Sequence, residues 1–205
     1  MSKILIAAAI LAASVMSQAQ AADAPTAPKT GASAPLGGPL IKGVCFLSKE
    51  AVQVNAKAGA AIDARVKQLE AQAQAEVNAQ RAPIDADFNT LKADAAKTPA
   101  PSPVDIENRR LALQARFQTV QDLADQRTRE IVASRQKAFE VLSAQMQPVL
   151  AAAYKAHGCG LLLDRNALLG GNTGGDLTAD VIKGLDARIT TLTFDREILP
   201  PLAKK

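Results

Sequence analysis

The sequence predicts a mainly α-helical chain with a small β body: a long antiparallel helical hairpin that extends from a small, β-rich oligomerisation core. None of the twelve glycines lies between residues 60 and 157. That stretch is rich in Ala, Gln, Leu, Arg, Lys, Glu and Asp, which is a helical composition. Aromatic residues make up only 3% of the chain, too few for a large compact core. An all-β fold and a doubly wound α/β enzyme are therefore excluded.

Large apolar residues recur along both arms of the predicted hairpin at spacings of mostly three, four or seven, the period of one helical stripe. In the first arm the stripe contains Ile62, Val66, Leu69, Ala73, Val77, Ile84, Phe88, Leu91 and Ala95. In the second arm it contains Leu113, Phe117, Val120, Ala124, Ile131, Ala138, Leu142, Val149 and Ala153. We expect the two stripes to pack together, with Phe88, Phe117 and Phe139 in the seam rather than at a binding surface.

Prolines mark two special points of the hairpin. Pro83 lies inside the first arm, where it removes one backbone hydrogen bond and clashes with the preceding turn, so we expect a bend there. Residues 98–103 contain three prolines and must form a turn. This turn joins helices of about 40 and 50 residues, or about 60–75 Å each at 1.5 Å per residue.

The segments on either side of the hairpin are β-prone. Residues 41–47 predict a short strand, and Ser48 is a good N-cap for the helix that follows. After the hairpin, residues 160–164 predict a buried strand and residues 166–169 a second one. About three short strands bury little surface on their own, so we expect the body to be completed by oligomerisation.

The last part of the chain predicts one more helix and a tail. Residues 176–184 form the helix, with Asp176 as N-cap and Asp180 in the first turn, and residues 188–194 are β-prone or simply extended. The predicted division of the chain is: 1–21 signal peptide; 22–39 disordered leader; 40–59 and 158–186 body; 60–157 hairpin with its turn at 98–103; 187–205 C-terminal extension.

The N-terminus has the pattern of a secretory signal peptide. Lys3 supplies a positive charge, residues 4–15 are apolar, and the small residues 19–21 predict cleavage after Ala21. The apolar run is too short to span a bilayer, although a membrane anchor is the alternative interpretation. Residues 22–39 are small residues, Pro and Gly, which predict disorder.

The two cysteines, Cys45 and Cys159, flank the hairpin 114 positions apart. An oxidising compartment permits a disulfide between them, which would stabilise the fold by about 4–5 kcal/mol in the chain-entropy model. The alternative is a pair of small buried thiols on adjacent strands.

The chain offers little that would support catalysis. It has a single histidine, no CxxC motif, no nucleophile motif and no phosphate-binding glycine loop followed by lysine. Asp164 and Asn166 are explained by a turn at a strand end. We therefore expect that the protein is not an enzyme and that it binds neither a cofactor nor a metal ion.

Both ends of the hairpin resemble the Skp/OmpH family of periplasmic chaperones. The opening segment Val44-Cys-Phe-Leu-Ser-Lys-Glu-Ala-Val is similar to that family's first strand and helix. The closing segments Gly160-Leu-Leu-Leu-Asp-Arg-Asn-Ala and Asp176-Leu-Thr-Ala-Asp-Val-Ile-Lys are more similar still. The long arms match only in pattern, as any coiled coil would.

The resemblance implies a jellyfish-like homotrimer in which three hairpins extend as tentacles around a cavity. Such a protein holds unfolded outer-membrane β-barrel proteins in the periplasm without ATP and prevents their aggregation. Nucleic acid is not an expected partner. The proline-rich turn lacks the family's strongly basic character, which weakens any claim of lipopolysaccharide binding there.

Six arginines on the second arm are the candidate client-attracting residues: Arg109, Arg110, Arg116, Arg127, Arg129 and Arg135. The alternative interpretation is that these arginines form a solvent-exposed helix face with no binding role. Otherwise they would attract acidic client segments and, weakly, anionic lipid headgroups at long range. The alternative function is a structural or adaptor coiled-coil protein of the cell envelope, which would need the hairpin but no cavity and no trimeric body.

Overall fold

The computed structural model describes residues 37–201. The predicted signal peptide, its cleavage site after Ala21 and most of the predicted leader lie outside these residues. In chain order the elements are β1 (Val44–Leu47), α1 (Lys49–Asn55), α2 (Lys57–Ala95), α3 (Pro103–Ala156), β2 (Leu161–Asp164) and α4 (Thr178–Arg188). The described chain is mainly helical with one small sheet, as the sequence predicts.

The sheet contains two parallel strands, β1 and β2. Val44 pairs with Leu161, and the register continues to Leu47 and Asp164. On the other side of β1, Phe46 forms an isolated parallel bridge with Asp176. A disulfide joins Cys45 in β1 to Cys159 just before β2, so the two segments that flank the hairpin are linked covalently.

The body has fewer strands than the sequence predicts. The expected strand at 166–169 is wrong: residues 165–167 form a 3-10 turn, because the side chain of Asp164 accepts a hydrogen bond from the Asn166 N–H and turns the chain. The β-prone segment 188–194 does not form a strand either. Helices α1 and α4 supply much of the body instead.

The junction between α1 and α2 lies at Ala56. Ser48 caps α1 as predicted, accepting a hydrogen bond from the Ala51 N–H. Gly59 lies inside α2, where an added Cβ would come within 1.7 Å of the Gln53 carbonyl oxygen. Glycine at this position therefore permits a close backbone approach and does not break the helix.

Helix α4 begins and ends two to four residues later than predicted. Asp176 is not its N-cap: the carboxylate accepts a hydrogen bond from the Thr178 N–H, and the helix starts at Thr178. Gly184 does not end the helix, because it lies against Val149 of α3, whose Cγ1 would be 2.6 Å from an added Cβ. The helix continues to Arg188, with Asp180 in its first turn as expected.

Helices α2 and α3 contact each other in opposite chain order. Four interhelical ion pairs join them: Asp63–Arg135, Glu76–Arg127, Asp87–Arg116 and Asp94–Arg109. Partner numbers fall along α3 as they rise along α2, which is the order of contacts in an antiparallel pair. The connecting loop covers residues 96–102, close to the predicted turn.

The apolar contacts between α2 and α3 form two separate clusters. The larger one lies at the base, where Ile62 and Leu142 pack with the body residues Val52, Val181 and Leu185. The smaller cluster, near the loop, consists of Ile84, Leu91, Leu113 and Val120. Between the two clusters the helices contact each other through polar side chains, among them Glu76, Arg127 and Glu130.

Candidate binding surfaces

Five of the six predicted arginines are held in local ion pairs. Arg109, Arg116, Arg127 and Arg135 pair with carboxylates of α2, and Arg110 pairs with Glu107 of its own helix at 2.7 Å. Arg129 has a buried Nε without a hydrogen-bond partner. The row of arginines is thus mainly part of the contact between the helices and does not form a free basic face.

An aromatic cleft opens near the loop end of the hairpin. Its volume is about 400 Å³. It is lined by Ile84, Asp85, Phe88, Arg110, Leu113, Gln114 and Phe117. Phe88 is 56% exposed and Phe117 36%, so two large apolar rings face solvent. Large exposed apolar side chains that form one patch are typical of interaction sites.

The prediction that all three hairpin phenylalanines lie in the seam is wrong for two of them. Phe139 packs against the base cluster. Phe88 and Phe117 lie at the margin of the seam, because Ile84, Leu91, Leu113 and Val120 already fill its centre. The guanidinium of Arg81 lies 5.5 Å from the Phe117 ring centroid, which fixes the ring at this margin by a cation–π contact.

The body also exposes apolar side chains. Leu40, Ile41 and Leu161 are 53%, 66% and 50% exposed. Leu161 belongs to β2, which is an edge strand, since β1 is its only neighbour in the sheet of the described residues. Unpaired backbone groups on an edge strand are a template for contact with another chain.

The C-terminal extension lies along the hairpin. Arg65 donates a hydrogen bond to the Phe194 carbonyl oxygen, and Glu197 and Leu199 approach α3. Arg196 places its guanidinium between two carboxylates, 2.9 Å from Glu76 and 3.2 Å from Glu130. Sequence reasoning missed these contacts; the available signal was the short alternation of apolar and polar residues from Leu192 to Asp195.

Glu130 is the most deeply buried charged residue described, with 1% exposure. Burial raises the pKa of its carboxyl, but hydrogen bonds from Gln126, the Leu199 N–H and Arg127 outweigh this effect, so the pKa lies below its ordinary value. The pKa of Glu76 is lowered as well, by hydrogen bonds from Arg196 and then Arg127. Both carboxylates are therefore charged at neutral pH.

The described residues contain no group of three or more His, Cys, Asp and Glu side chains that could hold a metal ion. Among the helices of residues 37–201, none combines the length and apolarity needed to cross a membrane. Pro83 lies within α2, which is helical on both sides of it. The expected bend at Pro83 stays a prediction.

These features define a class of binding proteins in which a long helix pair with exposed apolar patches extends from a small disulfide-linked body. A model of the family of OmpH-like outer membrane proteins matches residues 43–185. The chain therefore belongs to the OmpH-like family.

A solved structure supports the same assignment. The chain is 34% identical to a Caulobacter crescentus protein described as OmpH-like and, provisionally, as an outer membrane chaperone. The match covers 79% of this chain and 94% of that chain, with a TM-score of 0.70. The search of curated proteins gives no match.

Proposed function

We propose that this protein is an ATP-independent periplasmic holdase chaperone, which binds unfolded outer-membrane β-barrel proteins between its helical hairpins and keeps them from aggregating. The observation that carries the proposal is that a chain of the OmpH-like family extends a long helix pair with apolar rings exposed near its far end. A protein that only spaced two partners would not need such rings.

The aromatic cleft supplies shallow apolar contact to a client. Phe88 and Phe117 offer two faces to side chains of an unfolded segment without enclosing it. Each contact of this kind is weak, and several hairpins around one client add their contributions because later contacts form within one complex. The client is thereby held strongly yet released without an energy source.

The body supports the proposal of a homotrimer. A sheet of two four-residue strands is marginal as an independent unit. Leu161 lies on the edge strand opposite Val44, and Leu40 and Ile41 precede β1 by a few residues. Their exposed side chains leave apolar surface that a second copy would cover. Three bodies in contact would place three hairpins around a common cavity.

The location follows from the same considerations. A signal peptide cleaved after Ala21 would deliver the chain to the periplasm, an oxidising compartment in which the Cys45–Cys159 disulfide persists. The protein would need no cofactor and catalyse no reaction.

The proposed role of the arginines is modest. Because Arg109, Arg110, Arg116, Arg127 and Arg135 are already paired with carboxylates, they attract acidic client segments or anionic lipid only through the net field of the hairpin. Any lipid contact would be weak and sensitive to salt.

Suppression of aggregation tests the proposed function directly. A urea-unfolded outer-membrane β-barrel protein is diluted into buffer with or without the mature chain, and light scattering is followed over time. We expect the mature chain to abolish scattering at about one trimer per client, with or without ATP. Scattering that is unchanged would support the spacer or adaptor function instead.

Replacing both Phe88 and Phe117 with serine is expected to weaken client binding. The two rings lose their apolar contact, and a loss of about 1–3 kcal/mol would raise the apparent Kd roughly five- to 150-fold. The measurement is a titration of labelled unfolded client. Phe139→Ser is no suitable control because it perturbs the base cluster. Val132→Ser, at an exposed valine of α3 outside the cleft, serves as the control. Equal loss in both variants would contradict a specific role of the cleft.

Pro83→Ala is expected to narrow the range of client sizes that the protein holds. Alanine restores the backbone hydrogen bond that proline removes, which stiffens α2. Holding capacity is compared for a small and a large β-barrel protein. If the variant holds both as well as the wild type, the bend at Pro83 has no role in accommodating clients.

A further inference from the structure

The C-terminal extension binds the hairpin as an extended chain with one face inward. Beyond α4, the half-buried side chains include Leu192, Phe194 and Arg196, whereas the intervening Thr193 and Asp195 are exposed. Leu192 and Phe194 pack against the base cluster. A period of two is that of an extended strand, although no neighbouring strand pairs with these residues.

Several hydrogen bonds from the hairpin reach the main chain of this segment. Arg65 donates to the Phe194 carbonyl oxygen at 3.0 Å, and Gln126 donates to the Leu199 carbonyl oxygen at 3.2 Å. The Ser134 hydroxyl oxygen accepts a hydrogen bond from the Glu197 N–H at 2.8 Å. Because these contacts reach backbone atoms, they do not depend on the identity of most side chains in the bound segment.

Three charged side chains of the segment also form ion pairs with the hairpin: Asp195 with Arg65, Glu197 with Lys137, and Arg196 with two carboxylates. Arg196 inserts its guanidinium between Glu76 of α2 and Glu130 of α3, in the polar stretch that separates the two apolar clusters. Its side chain is only 22% exposed, so the ion pairs are partly shielded from water. The surface of the hairpin under the tail therefore accepts a basic side chain between Glu76 and Glu130, and apolar side chains nearer the base of the hairpin.

We propose that this groove, formed by Arg65, Glu76, Gln126, Glu130 and Ser134, is a binding site for extended polypeptide, that residues 193–201 occupy it in the absence of client, and that an unfolded client segment displaces them. The site differs from the aromatic cleft near the loop. The client part of the inference rests on the proposed holdase function.

The chemistry of the groove indicates which client segments it takes. An extended segment whose alternate side chains are apolar presents one row of them to the base cluster, as the tail does with Leu192 and Phe194. Strands of an unfolded outer-membrane β-barrel have this alternation. A lysine or arginine on the same row meets Glu76 and Glu130. The tail is thus a built-in competitor with the features of a client strand.

Hydrogen exchange of the full-length chain tests the displacement. Amides of residues 194–199 are followed by mass spectrometry before and after an unfolded β-barrel protein is added. We expect them to exchange about tenfold faster or more in the complex, while amides of α2 near Ile62 keep their protection. A complex in which these tail amides stay protected overturns the inference and leaves the proposed function intact.

A variant separates docking of the tail from binding of the client. Arg196→Ala removes the two most shielded ion pairs of the tail and leaves those of Asp195 with Arg65 and Glu197 with Lys137. We expect about tenfold faster exchange at residues 194–199 without client and about tenfold tighter client binding. Lys97→Ala is the control, since it removes one positive charge and the ion pair with Asp94 near the loop, far along α2 from Glu76. Unchanged tail exchange in Arg196→Ala overturns the inference.

A synthetic peptide makes the test independent of the client. A fluorescent peptide with the sequence of residues 193–201 is titrated into the wild-type chain and into Arg196→Ala, and fluorescence anisotropy is measured. We expect a Kd about tenfold lower for Arg196→Ala, and weaker binding of a peptide whose arginine is replaced by alanine. If neither the wild type nor Arg196→Ala forms a complex with client, the proposed function and client displacement are both wrong. Binding of the peptide then decides whether the groove accepts an extended segment at all. Absence of peptide binding overturns the groove itself.

Discussion

Replacing Cys45 and Cys159 together with serine is expected to lower the free energy of unfolding by about 4 kcal/mol. The disulfide closes a loop with a sequence separation of 114 residues, so its loss gives the unfolded chain much additional freedom. For a chain of this size, the change corresponds to a decrease in Tm of about 10 °C.

The measurement is thermal unfolding by circular dichroism at fixed protein concentration, because oligomerisation makes Tm concentration-dependent. The wild type in excess reductant should unfold at the same temperature as the double variant, and reductant should leave the double variant unchanged. A wild type that is insensitive to reductant would show that the bond contributes nothing to stability.

Leu161→Asp is expected to dissociate the proposed trimer. Leu161 is 50% exposed on edge strand β2, and a carboxylate in an apolar interface between copies would lose its hydration without gaining a partner. Because three copies of the charge would meet in one assembly, the cost of several kcal/mol per charge exceeds what a small interface supplies. Aggregation suppression should fall with the trimer.

Leu111→Asp provides a matched control. Leu111 is also 50% exposed, but it lies on α3 near the loop, far along the helix from the body. The oligomeric state of both variants is measured by size-exclusion chromatography with light scattering, and helicity by circular dichroism. If Leu161→Asp stays a trimer, or Leu111→Asp dissociates equally, β2 is not part of the interface.

The sequence predicted the local structure well because local rules decide it. The glycine-free stretch and the helical spacing of apolar residues predicted both long helices, and Ser48 has the N-cap geometry expected of it. The parallel sheet brings Cys45 next to Cys159 by pairing segments that a whole hairpin separates. Strands β1 and β2 could be recognised from the sequence because the apolar residues of each form a short, continuous run.

The binding surfaces were harder to predict because they depend on which side chain meets which across the helix pair. Phe88 fits the helical stripe, yet Ile84 and Leu91, one heptad apart, take the central positions of the seam. Likewise, nothing in the spacing of Arg127 indicates that Glu76 lies opposite it. The contacts of the tail were missed because the alternation from Leu192 to Asp195 indicates an extended segment but does not indicate which surface it packs against.

Native mass spectrometry of the mature chain tests the central claim most directly. The chain is measured alone and after dilution of a urea-unfolded outer-membrane β-barrel protein into its solution. The proposed function predicts a trimer that takes up one client chain and keeps it soluble. A monomer or dimer that ignores the client would contradict both the trimeric body and the chaperone function.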